Sequence, residues 1–368
     1  MTKQTGGTCI IDRVELVNCS QRQDDPSWRF ALGTITHVSG WLVLLTGRNG
    51  VVGHGHVLGT PIFKPEVARI EPVLDVLARH VQGRDAFDLE ALHGELADLA
   101  GTEQCALSGF VCALYDLIAR SLDVPLHRML GGKLRDTIEM SRIVSIKTPE
   151  AMADQAALLA GQGYRCLKLK LSGEPDLDIS RVATVRKRLG ADATLTVDAN
   201  QAYDADTAIR VCRELLPWNV AMMEQPVRAA DIDGLRRVHA AGVLPIEADE
   251  SIGSLRGLLD LIALAAADSY NLKLHYLGGL RNTLIAVRIC EAAGVGYRFG
   301  AIFGPRLLAA QGAAVASVAH SIHAGAELAE FDHLLDDPFV GLDVVNGALQ
   351  IPDGAGSGVT MTASARAL

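Results

Sequence analysis

Two lysines alternate with leucines in Leu167-Lys-Leu-Lys-Leu171, so an extended chain would send Lys168 and Lys170 to one face and the leucines to the other. Three acids follow, each closing a short apolar run: Asp198 in Val197-Asp-Ala-Asn, Glu224 in Met223-Glu-Gln-Pro and Asp249 in Ala248-Asp-Glu-Ser. Lys273 comes next, in Asn271-Leu-Lys. From Lys170 the steps are 28, 26, 25 and 24 residues, so each side chain holds an equivalent place in a repeating unit. Three carboxylates from adjacent strands would form an all-oxygen site that suits Mg²⁺, with Mn²⁺ as the alternative, rather than zinc. Lysines on both sides of such a site make a layout for removing a proton next to a carboxylate. The ion and one lysine would stabilise an enediolate, and the other lysine, its pKa depressed by cationic neighbours, would be the base. Taken singly, a Lys-x-Lys reads as an exposed strand edge and a terminal Asp as a helix cap. Their ordered coincidence points to catalysis.

Such residues need a scaffold that repeats. From about residue 137, short apolar segments ending in polar residues alternate with amphipathic stretches. Candidate strands are 138–145, 166–171, 194–198, 221–224, 244–249, 270–274, 296–300 and 327–331. The intervals are roughly 23 to 31 residues, about one strand–helix unit each. Helical stretches between them include 149–162, 179–189, 205–216, 232–241, 254–267, 280–293 and 306–321. Eight such units close into a parallel barrel with its site at the C-terminal strand ends. An open doubly wound sheet is the second choice, because no Gly-x-Gly-x-x-Gly follows the first strand. Ahead of the barrel, Ile10 to Val17 and Ser39 to Leu45 read as strands, and Val51 to Val57 as the return after the Asn49-Gly50 turn. From about Lys64 to Asp123 the period is helical, with Val67, Ile70, Val73, Leu74 and Leu77 in one stripe and Leu114, Leu117, Ile118 and Leu122 in another. The expected fold is α/β: an α+β capping domain at 1–130, a (β/α) barrel at 131–340 and a C-terminal segment, 341–368, returning to the capping domain.

Of 368 residues, 49% are hydrophobic and 21% charged, enough apolar surface to order the chain and to exclude intrinsic disorder. A net charge of −9 argues against nucleic acid, and the one basic cluster, Arg181 to Arg188, reads as a helix face. The seven cysteines, an odd number without a Cys-x-x-Cys, fit reduced thiols in a cytoplasm. The N-terminus lacks a signal-peptide core and no run of 18 apolar residues occurs, so a cytoplasmic protein without a membrane partner is expected. A homo-oligomer is expected too.

Beyond the strand ends, Ala113-Leu-Tyr-Asp-Leu, Val124-Pro and Met129-Leu-Gly-Gly stand where the two units join, and Gly278-Gly-Leu follows Lys273. With these and the acid-bearing motifs, nearly the whole chain resembles the enolase superfamily, specifically its mandelate racemase/muconate lactonizing enzyme branch. That branch includes cycloisomerases, o-succinylbenzoate synthases and racemases of N-acylamino acids and dipeptides. The resemblance implies that Asp198, Glu224 and Asp249 are magnesium ligands. It makes Lys170 and Lys273 acid/bases on opposite faces of the substrate, with Lys168 an electrostatic partner. It also implies that Gln21–Phe30, with Trp28, is a lid over the barrel mouth, and that Glu330 and Asp332 at the end of strand eight bind a substrate ammonium. Alternatively these are a plain surface loop and a capping acid. Relatives often carry Gly-Trp-Gly-Glu where this chain has Gly53-His54-Gly55-His56, and a glutamate where it has Phe303-Gly304-Pro305. His56 then reads either as a pocket contact or as a packing residue.

The leading expectation is a Mg²⁺-dependent racemase or epimerase working α to the carboxylate of a small-molecule substrate, an amino acid or derivative. Trp28, His56, Asn200, Glu330 and Asp332 are the candidate substrate contacts. A cycloisomerase or dehydratase of the same fold is the first alternative. A binding protein with a relict site is the second, disfavoured because the acids and lysines are all in place.

Overall fold

The computed structural model describes residues 8–59 and 67–366. Lys64, where the helical period was expected to begin, lies outside them, as do residues 1–7, 367 and 368 at the outer domain boundaries.

Strands β1 (Ile11–Arg22), β2 (His37–Gly47) and β3 (Val52–Leu58) form an antiparallel sheet in that order. Gly50, at φ 78°, supplies the left-handed residue that the tight turn between β2 and β3 requires. Helices α1 (Val67–Val81), α2 (Leu89–Ala100) and α3 (Gln104–Ser121) cover the sheet. Every residue of α3 from Cys105 to Ala119 is buried, so this helix is an axle rather than an amphipathic cover. β3 lies directly on it: a Cβ on Gly55 would stand 1.9 Å from the Gly109 carbonyl oxygen. Gly53 and Gly55 are there for that approach.

Seven parallel strands follow in sequential order: β4 (Ser141–Val144), β5 (Cys166–Lys170), β6 (Thr194–Asp198), β7 (Val220–Glu224), β8 (Ile246–Ala248), β9 (Ser269–Leu272) and β10 (Gly296–Phe299). Seven helices accompany them: α4 (Pro149–Gly161), α5 (Pro175–Leu189), α6 (Ala205–Leu215), α7 (Ile232–Ala240), α8 (Leu255–Ala263), α9 (Leu280–Ala293) and α10 (Arg306–Ser317). Several begin on side-chain caps: Thr148, Asp204, Asp231 and Ser254 each accept a first-turn N–H.

The expected eighth strand, 327–331, is not one. Only Ala326 and Glu327 are extended enough to close the ring: Ser141 N–H donates to Ala326 O at 2.7 Å, and Glu327 N–H to Phe299 O at 2.8 Å. The chain then turns into a short 3₁₀ helix, Glu330–His333. The first expected strand is also divided at Met140, since Thr137–Glu139 leaves the barrel to pair with Ala348–Gln350. Further C-terminal residues reach the capping unit, with Ser357 N–H on Asp116 Oδ1 at 2.6 Å and Arg120 Nη2 on Val359 O at 2.9 Å.

One continuous hydrophobic core runs from the capping unit into the barrel. A second, small cluster sits apart over the barrel mouth, built from Trp28, Phe30, Ile35, Val38, Leu58, Ile143, Phe303 and Leu334. All seven cysteines are buried free thiols. Among the described residues no helix is long and apolar enough to cross a membrane.

Candidate active site

The alternation that puts Lys168 and Lys170 on one face of β5 turns both into the barrel, where Lys170 is in register with Asp198, and Asp198 with Glu224. Lys170 Nζ donates to Asp198 Oδ2 at 2.5 Å and to Asn200 Oδ1 at 2.9 Å. Lys168 Nζ donates to Glu224 Oε2 at 3.0 Å and Glu327 Oε2 at 2.6 Å. Across the mouth, Lys273 Nζ is paired with Asp249 Oδ2. Lys170 ends β5 and Lys273 follows β9, four strands along, so the two stand on opposite sides of an eight-position ring. The turns after the strands are held in left-handed backbone at Asn200, φ 40°, and Gln225, φ 34°, at some cost in strain.

Beneath lies Arg298, fully buried, with Glu247 at 2.6 Å, Glu327 at 2.9 Å and Glu224 also in contact. Burial works against the anion of Glu224, but Lys168 and Arg298 outweigh it and hold the carboxyl well below its usual range. Burial likewise opposes the charged form of Lys273, and Asp249 and Glu224 outweigh it, so this ammonium is stabilised rather than depressed.

The donor set accepts a divalent cation on charge. Asp198, Glu224, Glu247, Asp249, Glu250 and Glu327 face Lys168, Lys170, Lys273 and Arg298, six acids against four cations, a formal surplus of two negative charges. The surplus is felt: burial, then Glu250 and Glu224, drive the Asp249 carboxyl well up, and burial with Asp198 raises Glu250. Glu250 Oε2 and Asn271 Oδ1 are buried without a hydrogen-bond partner. Asp198, Glu224 and Asp249 are each turned onto a lysine or arginine, and among the described residues no three such side chains already converge in the geometry of a metal site.

Above this floor is a cavity of about 170 Å³, room for a small organic acid rather than one or two waters. Lys168, Lys170, Asn200, Glu250 and Lys273 line its base, and Trp28, Phe30, Leu58, Ile143, Ile302 and Phe303 its wall. Trp28 reaches it from the polar segment 21–30, which is pinned to the barrel by Asp25–Lys147 at 2.7 Å and by Asp24 N–H on His333 O at 2.8 Å.

Three expected substrate contacts fall elsewhere. His56 is buried behind the wall, with Nδ1 3.4 Å from His275 Nε2. The shared strand face expected for Glu330 and Asp332 does not exist, since both lie in the 3₁₀ turn. Glu330 is buried against Arg142, 3.4 Å, while Asp332 lines a separate cleft with Asp24 and Tyr164. Neither lines the cavity over the lysines.

Family comparisons decide the chain's kinship. Residues 13–131 match the model described as the mandelate racemase / muconate lactonizing enzyme N-terminal domain, and residues 151–365 match the enolase C-terminal domain-like model. The chain belongs to the mandelate racemase/muconate lactonizing enzyme family of the enolase superfamily. A D-Ala-D/L-Ala epimerase of Cytophaga hutchinsonii is 31% identical over 95% of both chains. A dipeptide epimerase from the same organism, whose crystal structure is complexed with Mg and the dipeptide D-Ala-L-Val, superposes with a TM-score of 0.91 at 30% identity over 96% of each chain. A muconate lactonizing enzyme from Pseudomonas fluorescens, complexed with muconolactone, gives a TM-score of 0.94 at 26% identity over 98% of this chain and 99% of that one. As a member of this isomerase group the protein is an enzyme.

In this family member four further side chains join the floor of the site without ending a strand as Asp198 and Glu224 do: Glu247, Asn271, Arg298 and Glu327. The signal for two of them was present: Glu247 precedes Asp249 by two residues and Asn271 precedes Lys273 by two, the alternation that linked Lys168 to Lys170. Arg298 and Glu327 carry no comparable local mark.

Proposed function

We propose that the protein is a divalent-metal-dependent racemase or epimerase that removes and returns the proton α to the carboxylate of an amino-acid derivative. The observation that carries this is the placement of Lys170 and Lys273 on opposite sides of one cavity, with the carboxylates of Asp198, Glu224 and Asp249 between them. A cation held by those three acids, Mg²⁺ by its preference for hard oxygens, would supply positive charge for the substrate carboxylate as negative charge develops on it. Lys168, locked between Glu224 and Glu327, stays protonated and stabilises that charge. Burial opposes the ammonium there, yet Glu224 and Glu327 raise its pKa above the usual lysine value. Lys170 and Lys273 face the cavity from opposite sides, within reach of the two faces of a substrate carbon held between them. One then takes the α-proton from one face while the other delivers a proton to the opposite face.

The likeness to a muconate lactonizing enzyme supports a second reading, cycloisomerisation, in which one lysine moves the proton and the other serves as charge. Against it, a dicarboxylate would place its second charge on a cavity wall that offers no cation. Incubation in D₂O with Mg²⁺ and a library of N-acylated amino acids, dipeptides, proline-type acids and cis,cis-muconate separates the two. Deuterium at Cα with loss of optical purity supports racemisation. Turnover of muconate, with no exchange on any nitrogen-containing acid, overturns it.

A further inference from the structure

The turn that follows Lys170 is built on one acid. Asp178, in the first turn of α5, is fully buried. An acid at that place ordinarily serves the N–H groups of its own helix. Asp178 turns the other way. Its oxygens accept from Ser172 N–H at 2.9 Å, Ser172 Oγ at 2.9 Å and Gly173 N–H at 3.0 Å, all between β5 and α5. From the turn after β6, Tyr203 Oη donates to Asp178 Oδ2 at 2.6 Å. Burial pushes that phenol well above its ordinary range, so it stays a donor.

Arg181 completes the cluster. Its Nη1 donates to Asp178 Oδ1 and to Ser172 Oγ, both at 2.7 Å, and its Nε to Lys147 O at 2.8 Å. One carboxylate and its arginine thus tie together the chain after β4, β5 and β6, three neighbouring turns at the end of the barrel that carries the lysines. A buried charge with this many donors is held in one place, and losing a bond leaves the others unbalanced. Lys170 lies two residues before Ser172, and Asn200, the acceptor of its ammonium, three residues before Tyr203. Lys273 is supported differently. It stands at the start of a short helix, Leu274–Leu277, which packs on α3 of the capping unit.

We infer that Asp178 is a positioning residue for Lys170. Through Ser172, Gly173 and Tyr203 it sets the lysine and its Asn200 partner, and it has no hold on Lys273. The inference rests on the two-base reading above and gives the two bases separate supports.

The test is α-proton exchange in D₂O by the full chain with Mg²⁺, read by NMR. The probes are the separate enantiomers of N-acetylleucine and of proline, with L-Ala-L-Leu and L-Ala-D-Leu. Lys273→Ala identifies the stereoisomer whose proton Lys170 takes. Asp178→Asn keeps the side chain's shape but sets an NH₂ group against donors. A misplaced reacting group can cost about 100-fold, so this variant should slow exchange on the Lys170 stereoisomer at least about tenfold and leave the opposite one within about twofold. The loss should fall on kcat rather than KM. Tyr203→Phe, which removes only the bridging hydroxyl, should show the same bias in weaker form, and it carries the test if Asp178→Asn fails to fold. Equal losses on both stereoisomers, as a merely structural role would give, overturn the inference and leave the racemase reading standing. Exchange by the wild type on no probe overturns the racemase reading. Crystal structures of the wild type and the variants then judge the positioning without a substrate: Lys170 Nζ should be displaced from Asn200 Oδ1 with Lys273 still on Asp249, and an undisplaced Lys170 overturns the inference.

Discussion

Lys168 and Lys170 are two residues apart on one strand and meet different surroundings. The first is wedged between Glu224 and Glu327, and the second reaches the cavity beside Asn200. Their roles divide accordingly, and so do the expected variants. Lys170→Ala and Lys273→Ala should each abolish racemisation while leaving exchange of the α-proton on one enantiomer only, opposite for the two variants; exchange of both enantiomers by both variants would dismiss the two-base scheme. Glu224→Gln removes one negative oxygen from the middle of the acid group. Isothermal titration should show Mg²⁺ affinity reduced by more than the roughly 10- to 100-fold typical of outer-shell changes, with activity lost in step. Undiminished affinity would remove Glu224 from the metal site. The residues proposed for this chemistry were legible from spacing because a pleated strand repeats every two residues and a strand–helix unit every 23 to 31 or so. Arg298 and Glu327 were not legible, since only barrel closure brings them under Lys168.

Among the elements, the contact between β3 and α3 is the most restrictive. Gly53 and Gly55 take the places where the two segments touch backbone to backbone, and an added methyl at 55 would meet a carbonyl oxygen that cannot swing aside. Gly55→Ala should therefore destabilise by the upper end of the roughly 1–3 kcal/mol typical of overpacking, or more, measured as a fall in urea midpoint at unchanged slope. A shift below about 0.5 kcal/mol would mean that β3 can lift from α3. The segment that carries Trp28 is a different kind of element, tied at its stem by Asp25–Lys147 and at its tip by a hydrophobic cluster. Family resemblance implied a lid there, with a plain surface loop as the alternative. In the structure its apolar residues pack against Phe303 and Ile143, a contact between segments more than a hundred residues apart.

At the scale of the whole molecule, the capping unit and the barrel share a pair of buried histidines, His56 on β3 and His275 in the turn after Lys273. Burial holds both imidazoles in the neutral form, taking His275 to about 3 and His56 well below its usual value. The unfolded chain binds these protons near pH 6.5 and the folded chain does not. Their contribution to stability is thus complete above about pH 6.5 and is lost as pH falls toward 3. Each proton taken up only on unfolding steepens the loss by up to about 1.4 kcal/mol per pH unit. Urea unfolding between pH 7.5 and 4.5 should show that slope, and His56→Leu should flatten it; an identical slope in the variant would assign the acid sensitivity to other groups.

The order of strands and helices, the facing of Lys168 with Lys170 and the matched places of Asp198, Glu224, Asp249 and Lys273 follow from the sequence alone. They depend on local periods of two and 3.6 residues and on caps such as Asp204 and Asp231, which any short window of the chain displays. Tertiary structure decided the rest. The barrel closes through two residues, Ala326 and Glu327, whose partners on β4 and β10 supply a pairing that their own sequence does not demand. The same closure turns Glu330 onto Arg142 and sends Asp332 to another cleft. It leaves His56 beside His275 and brings Trp28 over the lysines. Which side chains share a cavity depends on the register between strands far apart in the chain, and no local period encodes that.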